Sequence, residues 1–436
     1  MSKTYQKKPA GRSQPTTAEL PVPAEATIAL GEVIESAREG LLALAVGTGL
    51  QVLQVLMTES VTAVCGPRDR HNPDRVGYRH GTEAGSVTLG GRRVPVQRPR
   101  VRAVDGSGEL PVPAYELFSS TEVLGELAMG RMLAGLSSRH YGAGLEPVGA
   151  QVEASASATS SSAVSRRFVR ATQTALAELL AAPLDGLDLV AFMVDGVHFG
   201  EHCCVVALGI GIDGSKHPLA VVEGSTENAT LATDLIVGLR DRGLDVTKPI
   251  LAVLDGSSAL RRAVRDVFDA PIIQRCQLHK IRNVKDKLPD RLKSVVERRM
   301  RAAYHAESTV AAEGLLDALA RELDKTHPGA AASLREGLTE TLTVLSLDVP
   351  PTLARTLRST NAIESMISIC RDRSGNVKNW QDGQMALRWC AAGMIEAGKQ
   401  FRRVNGHLHL PALRDALQRH VAPGTVRTDC YNEHVA

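Results

Sequence analysis

A chain of 436 residues, 43% hydrophobic and 23% charged, has room for two or three domains and a sizeable core, which excludes a disordered or fibrous protein. Its net charge is only +3 and its seven cysteines include no CxxC pair, so a disulfide scaffold is excluded and a reducing, cytoplasmic setting is expected. The most apolar run, LLALAVGTGLQVLQVLM at 41–57, carries two Gln and two Gly and suits a buried helix better than a membrane span.

In chain order, residues 1–27 are polar and have no apolar segment after their lysines. They predict a disordered tail and not a signal peptide. Apolar residues at helical spacing from about 28 to 64 predict a helix that stops at CGP. SVTLGGRRVPVQRPRVR then alternates apolar and polar residues around Gly90 and Gly91, which predicts a β-hairpin. Arg92, Arg93, Arg98 and Arg100 lie on it, and residues 66–103 hold nine Arg against Asp69, Asp74 and Glu83, an excess of six positive charges. The arginines are expected on one face.

Residues 115–180 return to helical spacing, interrupted by SASATSSS at 155–162. The helix after the interruption opens on serines suited to N-capping and carries Arg166, Arg167 and Arg170 on its first turns. That pattern fits a helix-turn-helix reader of DNA, or a plain helical hairpin. Residues 28–180 are accordingly read as a mainly helical DNA-binding region.

A different pattern begins at 185. LDLVAFMVDGVHFG, HCCVVALGIGIDG and HPLAVVEGS predict three consecutive strands. A helix capped by Asn228 and stopped by Gly243 follows, then strand PILAVLDGS, helix SALRRAVRDVFD and strand PIIQRCQ. Three antiparallel strands followed by two α crossovers make an α/β fold with a mixed sheet, and the order βββαβαβ is that of the ribonuclease H-like fold. Residues 185–280 form the first part of this core. Residues 281–355 read as an all-helical insertion, 356–405 as the core's last helices and 406–436 as a C-terminal tail. Residues 271–301 hold ten Lys and Arg against Asp286, Asp290 and Glu297. With the first basic block, this points to a polyanionic partner contacted by Lys280, Arg282, Lys285 and Lys287.

Six Asp-Gly pairs occur, at Asp105, Asp185, Asp195, Asp213, Asp255 and Asp382, so the dipeptide alone marks only turns. Asp195 and Asp255 stand apart because each ends the apolar part of a predicted central strand. If those strands are parallel neighbours, both carboxylates emerge at one sheet end, where α/β proteins bind ligands. Two close carboxylates repel unless a cation lies between them, and hard divalent ions take oxygen ligands. A third acid completes a two-metal site for phosphodiester chemistry. Glu364, in RSTNAIES, is the candidate. Its helix is expected to be capped by Ser359, Thr360 or Asn361, with Ile363, Ile367 and Cys370 toward the core. Locally, a capping-box glutamate paired with Asn361 explains the same residue.

Five stretches in register carry a resemblance: the strand ending in VDG, EGSTENA, LDGSSALRRAV, RCQLHKIRNV and STNAIES. Together, over roughly residues 60–400, they resemble the mutator-type bacterial transposases of the insertion sequence 256 family. The resemblance implies an acidic triad at Asp195, Asp255 and Glu364, two Mg²⁺ (or Mn²⁺) ions per active site, and a helical insertion within the 109 positions from Asp255 to Glu364. It implies that the chain binds the terminal inverted repeats of its element and acts on double-stranded DNA at the ends and at the target, as a homodimer or larger synaptic assembly and without a membrane. It also implies a Cys-x-x-His element, here Cys276 and His279. A lone pair of this kind is a poor zinc site, which favours local hydrogen bonding or a DNA contact. Beyond Glu364, Arg371 and Arg373 are further candidate DNA contacts. Two rival readings stay open: a structure-selective nuclease on the same fold, and a non-catalytic DNA-binding derivative.

Overall fold

The apolar periodicity after residue 27 belongs to one long helix, α1 (Ala24–Cys65), which begins just inside the stretch expected to be tail. The structure, a computed structural model, describes residues 24–70, 72–224 and 228–422; residues 1–23 and 423–436 of the expected tails lie outside the described residues. The chain packs as two units, Met1–Thr121 with Leu145–Ala158, and Glu122–Gly144 with Thr159–Ala436. No helix among the described residues is long and apolar enough to cross a membrane.

In the first unit, Leu53, Met57 and Val61 recur every fourth residue of α1 and bury against Val87 and Val101 of a hairpin. The hairpin is β1 (Gly77–Leu89) and β2 (Arg92–Ala103). Leu89 pairs with Arg92, leaving Gly90 and Gly91 as a two-residue turn with φ of 54° and 80°, a conformation that favours glycine at both places. The short β3 (Glu109–Leu110) extends the sheet, and α2 (Pro113–Ser119) follows. Next, α3 (Glu122–Leu133) belongs to the second unit, α4 (Ala150–Ser155) to the first and α5 (Ser161–Ala181) to the second. The two helices flanking the serine-rich stretch fall in different units.

The second unit is built on a five-stranded sheet. Its elements run β4 (Leu189–Phe199), β5 (His202–Gly211), β6 (Lys216–Gly224), α6 (Ala229–Asp241), β7 (Ile250–Leu254), α7 (Ser258–Val267) and β8 (Pro271–Arg275). The spatial order is β6-β5-β4-β7-β8. β5 is antiparallel to both β4 and β6, while β7 is parallel to both β4 and β8. Asn228 caps α6 by accepting from Leu231 N at 2.8 Å, as the sequence predicts.

From Gln277 to Leu357 the chain is helical, with no strand among the described residues: α8 (Gln277–Lys285), α9 (Asp290–Ala303), α10 (Thr309–Asp324), α11 (Pro328–Arg335), α12 (Leu338–Thr341), α13 (Thr343–Ser346) and α14 (Pro351–Leu357). This segment has its own core, including Ile281, Met300, Leu316 and Leu334. It also covers the open edge of β8: Gln274 Nε2 donates to Thr341 O at 3.0 Å, Gln274 Oε1 accepts from Val344 N at 2.8 Å, and Thr343 Oγ1 donates to Ile273 O at 2.7 Å. The chain then returns to the sheet with α15 (Asn361–Ser374), α16 (Gly383–Gln400) and α17 (Leu410–Val421). α17 lies in the stretch expected as tail; Leu410, Leu413 and Leu417 make an apolar stripe buried in the sheet core.

Helices cover both faces of the sheet. Phe192 and Val194 pack with Leu235 and Ile236 of α6 and Leu260 and Val264 of α7. Met193 and Val197 point the other way, toward Ile363 and Met366 of α15 and Cys390 and Met394 of α16. α15 and α16 approach most tightly at Gly393, where an added Cβ would lie 2.8 Å from Cys370 Cα and 3.0 Å from its Sγ. Gly393→Val is therefore expected to lower stability by about 2–3 kcal/mol, although valine is the better helix former. Chemical denaturation measures this, and an unchanged midpoint would contradict the close helix approach.

Candidate active site

Parallel pairing sets two of the acids. Ala191, Phe192 and Met193 pair with Leu251, Ala252 and Val253, and two residues further along each strand come Asp195 and Asp255. Because side chains alternate, Asp195 shares the face of Met193 and Val197, the face that α15 covers. Asp195 Oδ1 accepts from Gly196 N at 2.8 Å, and Asp255 Oδ1 accepts from Ser257 N at 2.8 Å. The second oxygen of each carboxylate has no protein donor among the described residues. Gly256, with φ of 115°, lets the chain turn directly after Asp255.

Burial first and the neighbouring Asp255 charge second raise the Asp195 carboxyl, with Glu364 adding and the Gly196 hydrogen bond and His279 opposing, to about 7 in all. Glu364 sits in the first turn of α15. Its Oε1 accepts from Thr360 Oγ1 at 2.6 Å and lies 3.7 Å from His279 Nδ1. Thr360 is the N-cap position but makes no side-chain capping bond. The capping-box role weighed for Glu364 is therefore not formed; its carboxylate is held by a hydroxyl four residues earlier.

Cys276 and His279 complete this cluster. The Sγ of fully buried Cys276 lies 3.3 Å from Thr360 Oγ1 and 3.5 Å from Thr360 N, while His279 Nδ1 is 3.3 Å from the same hydroxyl. A hydroxyl has one proton, and the short bond to the carboxylate claims it, so Nδ1 of His279 is the donor to Thr360 Oγ1. His279 is raised by its hydrogen bond with Cys276, burial opposing and the charges of Cys276, Glu364 and Asp195 adding. Burial pushes the Cys276 thiol up, but bonds from His279 and from the backbone N–H of Thr360 oppose it, and the thiol lies below its ordinary value. Ligand atoms of Cys276, His279 and Glu364 all lie within 4.8 Å of one another. The cluster joins the start of α8 to the start of α15.

The basic candidates divide into three kinds. Arg92 and Lys280 are buried: Arg92 pairs with Glu153 at 2.8 Å and donates to Glu146 O at 2.9 Å, and Lys280 donates to Ser333 O at 2.6 Å. Both serve the interior, which corrects their expected place among phosphate contacts. Arg93 is turned to the opposite side of β2 from Arg92, correcting the single arginine face, and donates to Ser119 O, Ser86 O and Thr88 Oγ1. Arg98 and Arg100 pair with Glu83 and Glu109, and Lys285 with Glu297. Arg166, Arg170, Arg282, Lys287 and Arg371 are exposed, and Arg167 and Arg373 are half-buried. Trp380 packs against Phe199, ring centroids 5.0 Å apart. Thr360 was visible in the sequence only as a possible cap; its i, i+4 spacing to Glu364 is the signal for its present role.

Comparison with known proteins adds an independent line. The profile of the family described as "Transposase, Mutator family" matches residues 30–404. The transposase for insertion sequence element IS6120 of Mycolicibacterium smegmatis is 30% identical over 287 residues, 64% of this chain and 86% of that protein. The transposase for insertion sequence element ISRM5 of Rhizobium meliloti is 26% identical over 401 residues, 89% of this chain and 96% of its own length. A third, for element IST2 of Acidithiobacillus ferrooxidans, is 31% identical over 177 residues, 41% of this chain and 59% of that protein. With residues 30–404 of its 436 matched, this chain belongs to the Mutator family of transposases.

Proposed function

We propose that the second unit is a ribonuclease H-like catalytic core whose helical segment 281–355 is an insertion, and that Asp195, Asp255 and Glu364 are its metal-binding triad. The observation that carries this reading is the crowding of the three acids: Asp195 is half-buried beside Asp255, within the field of Glu364, and raised to about 7. A like-charged oxygen cluster of this kind is unfavourable alone and suits a hard divalent cation. The oxygens of Asp195 and Asp255 without protein donors are the ligands on offer, which fits two Mg²⁺ or Mn²⁺ ions. When bound, these ions supply Lewis acidity for phosphodiester hydrolysis and transesterification.

The chain's own residues do the placing. β4 and β7 fix Asp195 and Asp255 on a rigid, buried sheet, and Thr360, with His279 beside it, orients the Glu364 carboxylate. The protein thereby cleaves DNA at the ends of its insertion sequence and transfers the freed 3′-hydroxyl end to target DNA. Exposed Arg282, Lys287 and Arg371, with Arg373, contact phosphates and position the duplex without reading its sequence. Arg98 and Arg100 of the hairpin and Arg166, Arg167 and Arg170 of α5 contribute to binding the terminal inverted repeats, and synapsis of two ends brings two copies together.

Asp195→Ala, Asp255→Ala and Glu364→Gln are each expected to abolish end cleavage while binding of the inverted repeat persists. Gel assays with labelled ends read both, and cleavage retained by the Glu364 variant would remove that residue from the triad. Arg282→Ala and Lys287→Ala should each weaken binding and reduce the slope of log affinity against log salt by about 1; slopes equal to the parent's would make these residues merely solvated.

A stability measurement separates the metal from the chemistry. The Asp195 carboxyl is raised in the folded state, so its neutral form favours folding; that contribution is full below pH 4 and is lost as pH rises through about 7. Without metal, Asp195→Asn is expected to melt above the parent at pH 8 and to match it near pH 4. Millimolar Mg²⁺ or Mn²⁺ should raise the parent's melting temperature and leave the variant's unchanged. Equal metal responses would contradict Asp195 as a ligand.

A further inference from the structure

Beside the acidic cluster, a second cleft of about 350 Å³ lies between α8, α9 and the junction of α14 with α15. Its walls include Arg301, His305, Arg355, Arg358, Ser359 and Asn361, and no carboxylate lines it. Arg301 is partly neutralised by Glu297 at 2.8 Å. Neither Arg355 nor Arg358 has an acidic partner among the described residues.

Arg358 is held in place. Its carbonyl oxygen accepts from Gln277 N at 3.0 Å, and its Nη1 lies 2.8 Å from His305 Nε2. A guanidinium only donates, so Nε2 is the acceptor; Nδ1 therefore carries the proton and donates to Arg301 O at 2.7 Å. His305 is thus a strut that aims Arg358. Burial lowers the Arg358 guanidinium, and the charges of Arg355 and Arg301 lower it further. Converging guanidinium groups without counter-charge are relieved by an anion, and their planar forks match a phosphate.

The position of the cleft gives the anion its identity. Gln277 and Leu278 line the cleft, while Cys276 and His279, on either side of them, face the acidic cluster. On the other wall Ser359 and Asn361 line the cleft and bracket Thr360, whose hydroxyl holds Glu364. The same two chain segments therefore serve both places. An anion in the cleft adjoins whatever lies at Glu364, and a ligand with phosphates at both positions is a polynucleotide strand.

We propose that this cleft holds one backbone phosphate of the DNA strand cut at Asp195, Asp255 and Glu364, close to the scissile phosphodiester, with Arg355 and Arg358 as its fork. This rests on the acidic cluster being the DNA-cleaving site, and it adds a positioning contact that fixes where along the strand the cut falls.

The test uses the full chain and duplexes of an element end in which single phosphates near the cut are replaced by uncharged methylphosphonates. Binding is measured in EDTA, independently of catalysis. One position is expected at which neutralisation weakens wild-type binding about tenfold. Arg355→Ala, at an exposed residue whose loss leaves no buried group unpaired, and Arg358→Gln, which keeps a donor for His305, should bind the unmodified end about tenfold more weakly. Both should lose sensitivity at that position alone. Variants that bind as the parent does, or keep its sensitivity at every position, overturn the proposal. So does a cleft that takes only inorganic phosphate, seen as phosphate-dependent thermal stabilisation lost in Arg355→Ala with DNA binding unaltered. Metal-dependent cleavage retained by Asp195→Ala would instead count against the catalytic reading, which the EDTA binding measurement does not use.

Discussion

Two carboxylates side by side at the end of a buried sheet are the constraint around which the second unit is arranged. The parallel register of β4 with β7 brings Asp195 level with Asp255, and the alternation of β4 turns Asp195 into the face covered by α15. Burial makes their mutual repulsion expensive, since little water is present to screen it. Such a pair is relieved by a proton or by a cation between the two oxygens, and the second is what the proposed function uses.

The third acid arrives by a longer route. Glu364 lies 109 positions after Asp255, and most of the chain between them is a helical segment with a core of its own. Two devices return the chain to register: the glutamine and threonine bonds that seal the β8 edge, and the Cys276, His279 and Thr360 cluster that ties α8 to α15. The second holds Glu364 directly. Positive charge is likewise distributed by task, with Arg92 and Lys280 inside the fold, Arg98, Arg100 and Lys285 paired with acids, and Arg282, Lys287 and Arg371 left exposed.

Much of this is legible in the sequence, for identifiable reasons. Strand order could be read because each strand of the sheet is a short apolar run bounded by turn residues, and Asp195 and Asp255 stood out because each ends such a run. The N-cap of α6 and the Gly90-Gly91 turn depend on one or two residues and were equally plain. What could not be read is whatever depends on packing between distant segments. Lys280 and Arg92 look like surface charges because burial of a long basic side chain is set by carbonyl groups far along the chain. The apolar stripe of α5 packs within its own unit, with Phe168 on Trp389 at 4.6 Å, a partner more than two hundred positions away that no local pattern around SASATSSS announces. Arg301, Arg355 and Arg358 converge only through the fold, and no spacing announces them.

As proposed, Asp195, Asp255 and Glu364 together hold divalent metal. Anomalous diffraction from crystals soaked in Mn²⁺ tests it most directly. Anomalous density is expected at the carboxylates of Asp195, Asp255 and Glu364, and is expected to be absent in Asp195→Asn crystals. Manganese bound only at Cys276 and His279, or none at the two aspartates, would contradict it.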